Sequence, residues 1–183
     1  MRELTIESYK ANFMGMLLLL PIVLLFGIPF YYLWHQSIDI YYEIHFLKCN
    51  IFWVLMILGF GIAIHELLHG LAYLLLTKGD YKNLSFGIIW KDLTPYCHYA
   101  MPVSVMQYRI AVLSPSILLG FLPLIISLFI GSFPILILGI LFTLGAIGDF
   151  IILWIIRKEN NSTIVQDHPD KIGCIILEDN QDK

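Results

Sequence analysis

Residues 51–76 read IFWVLMILGFGIAIHELLHGLAYLLL. As a helix, this run is long enough to cross a hydrocarbon core of roughly 30 Å. It nevertheless carries three ionisable side chains, His65, Glu66 and His69. Each such group at mid-membrane costs about 2.5–3.5 kcal/mol on insertion scales, so the cluster calls for a compensating partner. Its spacing points to a metal. His65-Glu66-Leu67-Leu68-His69 is H-E-x-x-H, and residues i and i+4 share a helix face, so two imidazoles converge on one cation. Glu66, beside the first imidazole, can take a proton from a water that the metal activates. Zn2+ suits nitrogen and oxygen ligands in a tetrahedral arrangement. With this His and Glu content the pattern arises by chance in about 0.6% of chains of this length, so its apolar setting matters as much as the motif.

The rest of the chain has the same character. Of its 183 residues, 58% are hydrophobic and 14% charged, against roughly 25% charged in an ordinary soluble domain. Mean hydropathy is +0.78. A disordered chain is excluded, and a net charge of −3 offers no basic footprint for nucleic acid. Cys49, Cys97 and Cys174 are far apart, which excludes a disulfide framework or a zinc knuckle. Further apolar blocks lie at about 13–34, 110–130 and 134–156, so the predicted fold class is an all-α integral membrane protein with four spans. The first block ends in Tyr31-Tyr32-Leu33-Trp34, an interfacial anchor, and exceeds the roughly 7–15 residues of a signal-peptide core. Its Pro21, Gly27 and Pro29 are tolerable in a membrane helix. Gly131-Ser132-Phe133-Pro134 marks a tight turn between the last two spans.

Orientation follows from the positive residues. With the N-terminus in the cytoplasm, ten of the 11 Lys and Arg fall inside and only Lys48 falls outside. Both termini, 1–12 and 157–183, are then cytoplasmic, and the protein is a multi-pass component of the cell membrane. The sequon Asn161-Ser162-Thr163 lies on the wrong side for glycosylation. Within the connection 77–109, Leu84, Phe86 and Ile88 alternate with their neighbours, and a second apolar stretch follows Pro95, which predicts a short β-hairpin.

A third ligand is needed beside His65 and His69. Asp149 is the other acid within a span. It lies 7 residues from the cytoplasmic end of the fourth block, as His69 does from the end of the second. Both are then roughly 10 Å deep, with His65 about 6 Å deeper. Rivals are His98, adjacent to Cys97, with Asp92 nearby. Asp167-His168-Pro169-Asp170 reads as a turn before a short strand, or as a second metal site. His35 and His45 fall in the outside loop, and Arg109 can snorkel at a span edge. Gly59, Ala63 and Gly70 share a stripe with Glu66, and Gly139 and Ala146 lie near the face of Asp149, which predicts close helix packing. Pro115 frees the carbonyl four residues earlier, either as a simple kink or as a local opening.

The H-E-L-L-H-G stretch at 65–70, followed by Gly148-Asp149 in a later span, resembles the intramembrane zinc metalloproteases of the site-2 protease type. Most closely, the chain resembles the small bacterial family described as putative zincin peptidases, over roughly residues 50–156. The resemblance implies His65, His69 and Asp149 as ligands of one Zn2+, Glu66 as the general base, and the 84–100 stretch as an edge strand that pairs with an extended substrate. It departs from the site-2 type where Phe150 follows Asp149, in place of glycine, and where Ser114-Pro115 stands for a Gly-Pro element. The expected function is hydrolysis of peptide bonds in membrane-associated substrates, with the lipid bilayer as the other partner and no nucleic acid. The alternative is a non-enzymatic membrane protein that uses the His/Glu/Asp cluster to bind, sense or transport metal.

Overall fold

The computed structural model describes residues 1–6, 8–90, 94–168 and 171–177. Lys91, Asp92, Pro169, Asp170 and Lys183 therefore lie outside the described residues. The elements follow the order β1 (Arg2–Ile6), α1 (Ser8–Trp34), α2 (Ile40–Cys49), α3 (Ile51–Thr77), β2 (Leu84–Ile89), β3 (Thr94–Tyr99), β4 (Val103–Ser104), α4 (Val105–Pro115), α5 (Leu122–Ile130), α6 (Phe133–Gly145), α7 (Ile147–Ile155), β5 (Ile164–Asp167) and β6 (Ile172–Leu177). Residues Ser116–Phe121 form a π-helical turn that joins α4 to α5.

Among the described residues, three helical stretches are long and apolar enough to cross a membrane: Leu17–Trp34, Ile51–Thr77 and Val105–Ile130. α6 and α7 reach that standard only together, across a 44° bend. The predicted third block begins at 110, but its helix starts at Val105. Ser104 caps it, accepting from the Gln107 N–H in a capping box. Arg109, expected to snorkel, instead donates to the Ile156 and Glu159 carbonyls at 2.7 and 3.1 Å, closing the C-terminal end of the α7 segment. The outer surface of the helices is apolar. Leu55, Phe60, Leu67 and Leu75 of α3 are 60, 65, 57 and 72% exposed, a surface that suits an apolar solvent far better than water.

The fold is not purely α. β1, β6, β5 and β4 form one antiparallel sheet in that order, and β2 pairs with β3 in a second. The predicted 77–109 hairpin is the β2–β3 pair, with Phe86 opposite Cys97. The larger sheet corrects the all-α expectation. Its strands are too short for alternation to stand out, and it depends on a pairing of residues at opposite ends of the chain, Leu4 with Cys174 and Arg2 with Ile176. Asp167, expected in a turn, ends β5 instead; β6 follows at Ile172–Leu177, and Pro169 and Asp170 of the expected turn lie outside the described residues.

Beneath this sheet lies the main core. Tyr73, Tyr99, Val105, Tyr108, Ala111, Ile156, Val165 and Cys174 are all nearly inaccessible. Tyr73 stacks on Tyr99 with ring centroids 5.0 Å apart, and the Tyr99 hydroxyl meets Thr77 Oγ1 at 2.9 Å. The core therefore ties the C-terminal end of α3 to the hairpin and to α4. The close approaches differ from the predicted stripe. A Cβ on Gly59 would meet nothing, whereas one on Gly61 would lie 2.0 Å from the Phe142 ring of α6. Gly70 makes room for Phe86 of the hairpin, not for a helix.

Candidate metal centre

On α3 the inward face carries His69, Gly70 and Tyr73 as buried residues, with His65 one turn earlier. Asp149 comes from α7, one turn after the bend at Ala146; its N–H donates to the Ala146 carbonyl at 3.0 Å. His65 Nε2 lies 3.1 Å from Asp149 Oδ2, and His69 Nε2 lies 3.4 Å from Oδ1. The two imidazoles sit edge to face, with centroids 4.9 Å apart. Among the described residues, these three are the one set of His, Cys, Asp or Glu whose ligand atoms all fall within 4.8 Å of one another. A tetrahedron with metal–ligand bonds of about 2.1 Å has edges of about 3.4 Å. The observed spacings fit such a site, and the donor set of two imidazole nitrogens and a carboxylate suits zinc.

The orientation of His69 comes from α4. Its Nδ1 lies 2.9 Å from the Ala111 carbonyl. In an uninterrupted helix that carbonyl would accept from residue 115, but Pro115 has no N–H. The freed acceptor takes the imidazole proton on Nδ1, which leaves the Nε2 lone pair directed at the cluster. Ser114 Oγ donates to the same carbonyl at 2.9 Å. The π-helical turn then begins at Ser116, whose buried hydroxyl donates to Asp149 Oδ2 at 3.4 Å. π-bulges recur at functional sites because they re-aim a side chain without ending the helix.

Glu66 borders a cavity of about 190 Å³ together with His65, His69 and Asp149. Tyr96, Cys97 and His98 of β3 line the same cavity. β2 pairs with one edge of β3, and no strand pairs with its other edge among the described residues. Gly145 and Gly148 line the same cavity, and a Cβ on either would meet no atom within 4 Å. They keep open the space in front of Asp149.

The rival ligands go elsewhere. His98 Nδ1 lies 3.1 Å from Asp167 Oδ2, outside the three-residue cluster, and Asp92 lies outside the described residues. His168 Nδ1 accepts the Lys171 backbone N–H at 3.0 Å, and its Nε2 lies 3.7 Å from Glu3. His35 and His45 are exposed on the loop side of α1 and on α2. Sequence reasoning missed the Ala111 carbonyl, Ser116 and the Asp167 partner of His98. Pro115 was the one visible signal among them.

A family model described as putative zincin peptidase matches residues 58–164, more than half of the chain. The protein belongs to this family. The match takes in His65, Glu66, His69, the hairpin and Asp149, and ends at the first residue of β5, so Asp167 and β6 lie beyond it. The family implies zinc, and the His65–His69–Asp149 cluster is compatible with it. No curated protein and no solved structure matches the chain.

Proposed function

We propose that this zincin-family protein is a membrane-embedded metallopeptidase. In this reading His65, His69 and Asp149 hold one Zn2+, and the chain hydrolyses peptide bonds of membrane-associated substrates. The observation that carries it is the convergence of His65, His69 and Asp149 from two separate helices, with Glu66 beside them on a cavity. That cavity favours a reactive centre over the alternative of metal sensing or transport, because a peptidase needs an open position next to its ligands. In this reading the chain crosses the cell membrane four times, with α6 and α7 as one bent span and both termini cytoplasmic. The large exposed apolar surface and the distribution of positive charge support it.

Zn2+ held by His65, His69 and Asp149 would supply Lewis-acid chemistry, polarising the scissile carbonyl and acidifying the attacking water. Glu66 takes the proton of the attacking water and later delivers it to the departing amine, so one carboxyl serves as base and then as acid. The water oxygen bonds to the carbonyl carbon, the C–N bond breaks, and the products are a carboxylic acid and an amine. The edge of β3 facing the site can hold an extended substrate backbone by strand addition, which presents a peptide without reading its sequence. Proline in place of Phe86, within the hairpin that carries this edge, is expected to impair cleavage.

The test is a comparison of Glu66→Gln with His65→Ala and Asp149→Ala in detergent. Glu66→Gln is expected to retain zinc and lose hydrolysis, whereas the other two lose zinc. Full activity of Glu66→Gln rejects the mechanism, and retention of zinc by His65→Ala rejects the site.

A further inference from the structure

A second cavity, of about 660 Å³, lies away from the metal cluster, between α2, the first turns of α3 and the first turns of α6. Its α3 wall ends at Ile57, eight residues before His65, so about 12 Å of helix separates the two sites. The walls are apolar, with Leu47, Trp53, Ile57, Phe133 and Ile137 among them. Two polar residues border it. Asn50 donates its amide N–H to the Phe46 carbonyl at 2.9 Å. Lys48 is the one charged lining residue among those described. Its side chain is exposed and has no ion-pair partner among the described residues. Of the acids in the same connection, Asp39 caps α2 through the Tyr41 and Tyr42 N–H groups, and neither it nor Glu43 lines the cavity.

The volume falls within the roughly 300–1,000 Å³ of small-ligand sites, and an apolar lining with one polar group that fixes orientation is their usual form. In a bilayer such a space opens to hydrocarbon, and an empty void would cost its lining the contacts that an acyl chain restores. The rim sets the other end of the ligand. Trp53, in the first turn of α3, is 63% exposed, and an exposed tryptophan at a span end marks headgroup depth. Lys48 offers an unneutralised ammonium at that rim. The N-terminus of α6 adds positive potential there, since Phe133 and Pro134 line the cavity and Ser132 makes no side-chain cap. A hydrocarbon chain below and a negative group above describe one amphiphile.

We propose that this cavity binds an anionic phospholipid, with an acyl chain held between α2, α3 and α6 and the headgroup charge beside Lys48. The inference rests on the membrane reading above and not on peptide hydrolysis. Its place in the fold gives it a structural consequence. α3 carries His65 and His69, and α6 continues through the bend to Asp149, so the lipid fills the seam between the two segments that supply the metal ligands. Gly61 meets the Phe142 ring in that seam, between the cavity and the cluster.

The experiment uses the full chain in a nonionic detergent and native mass spectrometry, with dioleoyl phosphatidylglycerol and dioleoyl phosphatidylcholine as probes. The two share their acyl chains, but only the first carries a net negative charge. Wild type is expected to retain one molecule of phosphatidylglycerol and to bind it about fivefold more tightly than phosphatidylcholine. Lys48→Gln is expected to erase that preference. Ile137→Trp fills the cavity from α6 and is expected to weaken both lipids by about tenfold or more; Val54→Trp repeats the test from α3. All three variants are expected to keep the zinc content of wild type. Equal binding of the two lipids by wild type, or a preference that survives Lys48→Gln, overturns the headgroup assignment. Lipid binding unchanged by both tryptophan variants overturns the cavity as its site. A wild-type dimer that retains no lipid and that Ile137→Trp dissociates overturns the proposal in favour of a second copy. Release of the chain from native membranes by alkaline carbonate rejects the membrane reading itself.

Discussion

His69 is fastened to the neighbouring helix by the Ala111 carbonyl, 2.9 Å from its Nδ1, and Pro115, four residues later, is the reason that carbonyl has no helical donor of its own. A residue that weakens its own helix thus orients a side chain on another. Pro115→Ala separates the two effects by sign. Restoring the N–H repairs α4, so thermal stability is expected to stay level or rise, since an interior proline costs about 3 kcal/mol. The new N–H competes with His69 for the carbonyl, so zinc affinity is expected to fall by about tenfold. Melting curves and chelator competition on the same preparation check both.

Gly148 fronts open space next to Asp149. Gly148→Val is expected to preserve folding and zinc content, because nothing lies within 4 Å of the added carbon. The larger side chain enters the cavity and is expected to exclude peptide ligands. Titration with a hydroxamate, alongside metal analysis, tests this; unchanged binding would show that ligands approach from another side.

Gly173 lies opposite Thr5 in the sheet, with φ +134 and only 2.0 Å between a Cβ and the Leu4 carbonyl oxygen. Gly173→Ala meets backbone on one side and a disfavoured conformation on the other, at a cost of roughly 1–3 kcal/mol. The expected result is local: faster amide exchange over Arg2–Ile6, with the helices unchanged. Acid acts on the same strand. Glu3, bonded to Lys171 at 2.8 Å, is held below its ordinary pKa chiefly by that hydrogen bond and by the lysine charge. The contact is present above pH about 4.5 and is lost as pH falls through the lowered value. Because both groups are exposed, salt should weaken the effect.

Burial pushes the Cys97 and Cys174 thiols up to about 12. At pH 8 only about one in 10⁴ of either is thiolate, the reactive form. Iodoacetamide is therefore expected to label exposed Cys49 first, and the other two only after denaturation. Peptide mass spectrometry reads the order.

The long elements and the members of the His65–His69–Asp149 cluster were visible in one dimension because each has a short-range or compositional signature. Block hydropathy placed α3 and the apolar stretches around α4–α5 and α6–α7. The His65–His69 spacing is local to one helix, and Asp149 stood out as an isolated acid in an apolar block. Pairings between distant residues left no such trace. His98 and Asp167 are 69 residues apart, and β1 meets β6 across nearly the whole chain. α2 escaped notice because its aromatic residues are interspersed with Glu43, His45 and Lys48 in a short stretch. The bend at Ala146 carries no proline, so hydropathy merged α6 and α7 into one block. The small-residue stripe misled for a related reason. Periodicity can group Gly59 with Glu66, but only the neighbour, Phe142, decides that Gly61 is the point of contact.

The pairing of Arg2–Ile6 with Ile172–Leu177 also sets an order of events during synthesis. The first strand leaves the ribosome without its partner and must wait until every helix has been made. The wall bearing Asp167 closes only after that wait, so a nascent chain that already contains His65 and His69 still lacks part of the enclosure of their cavity.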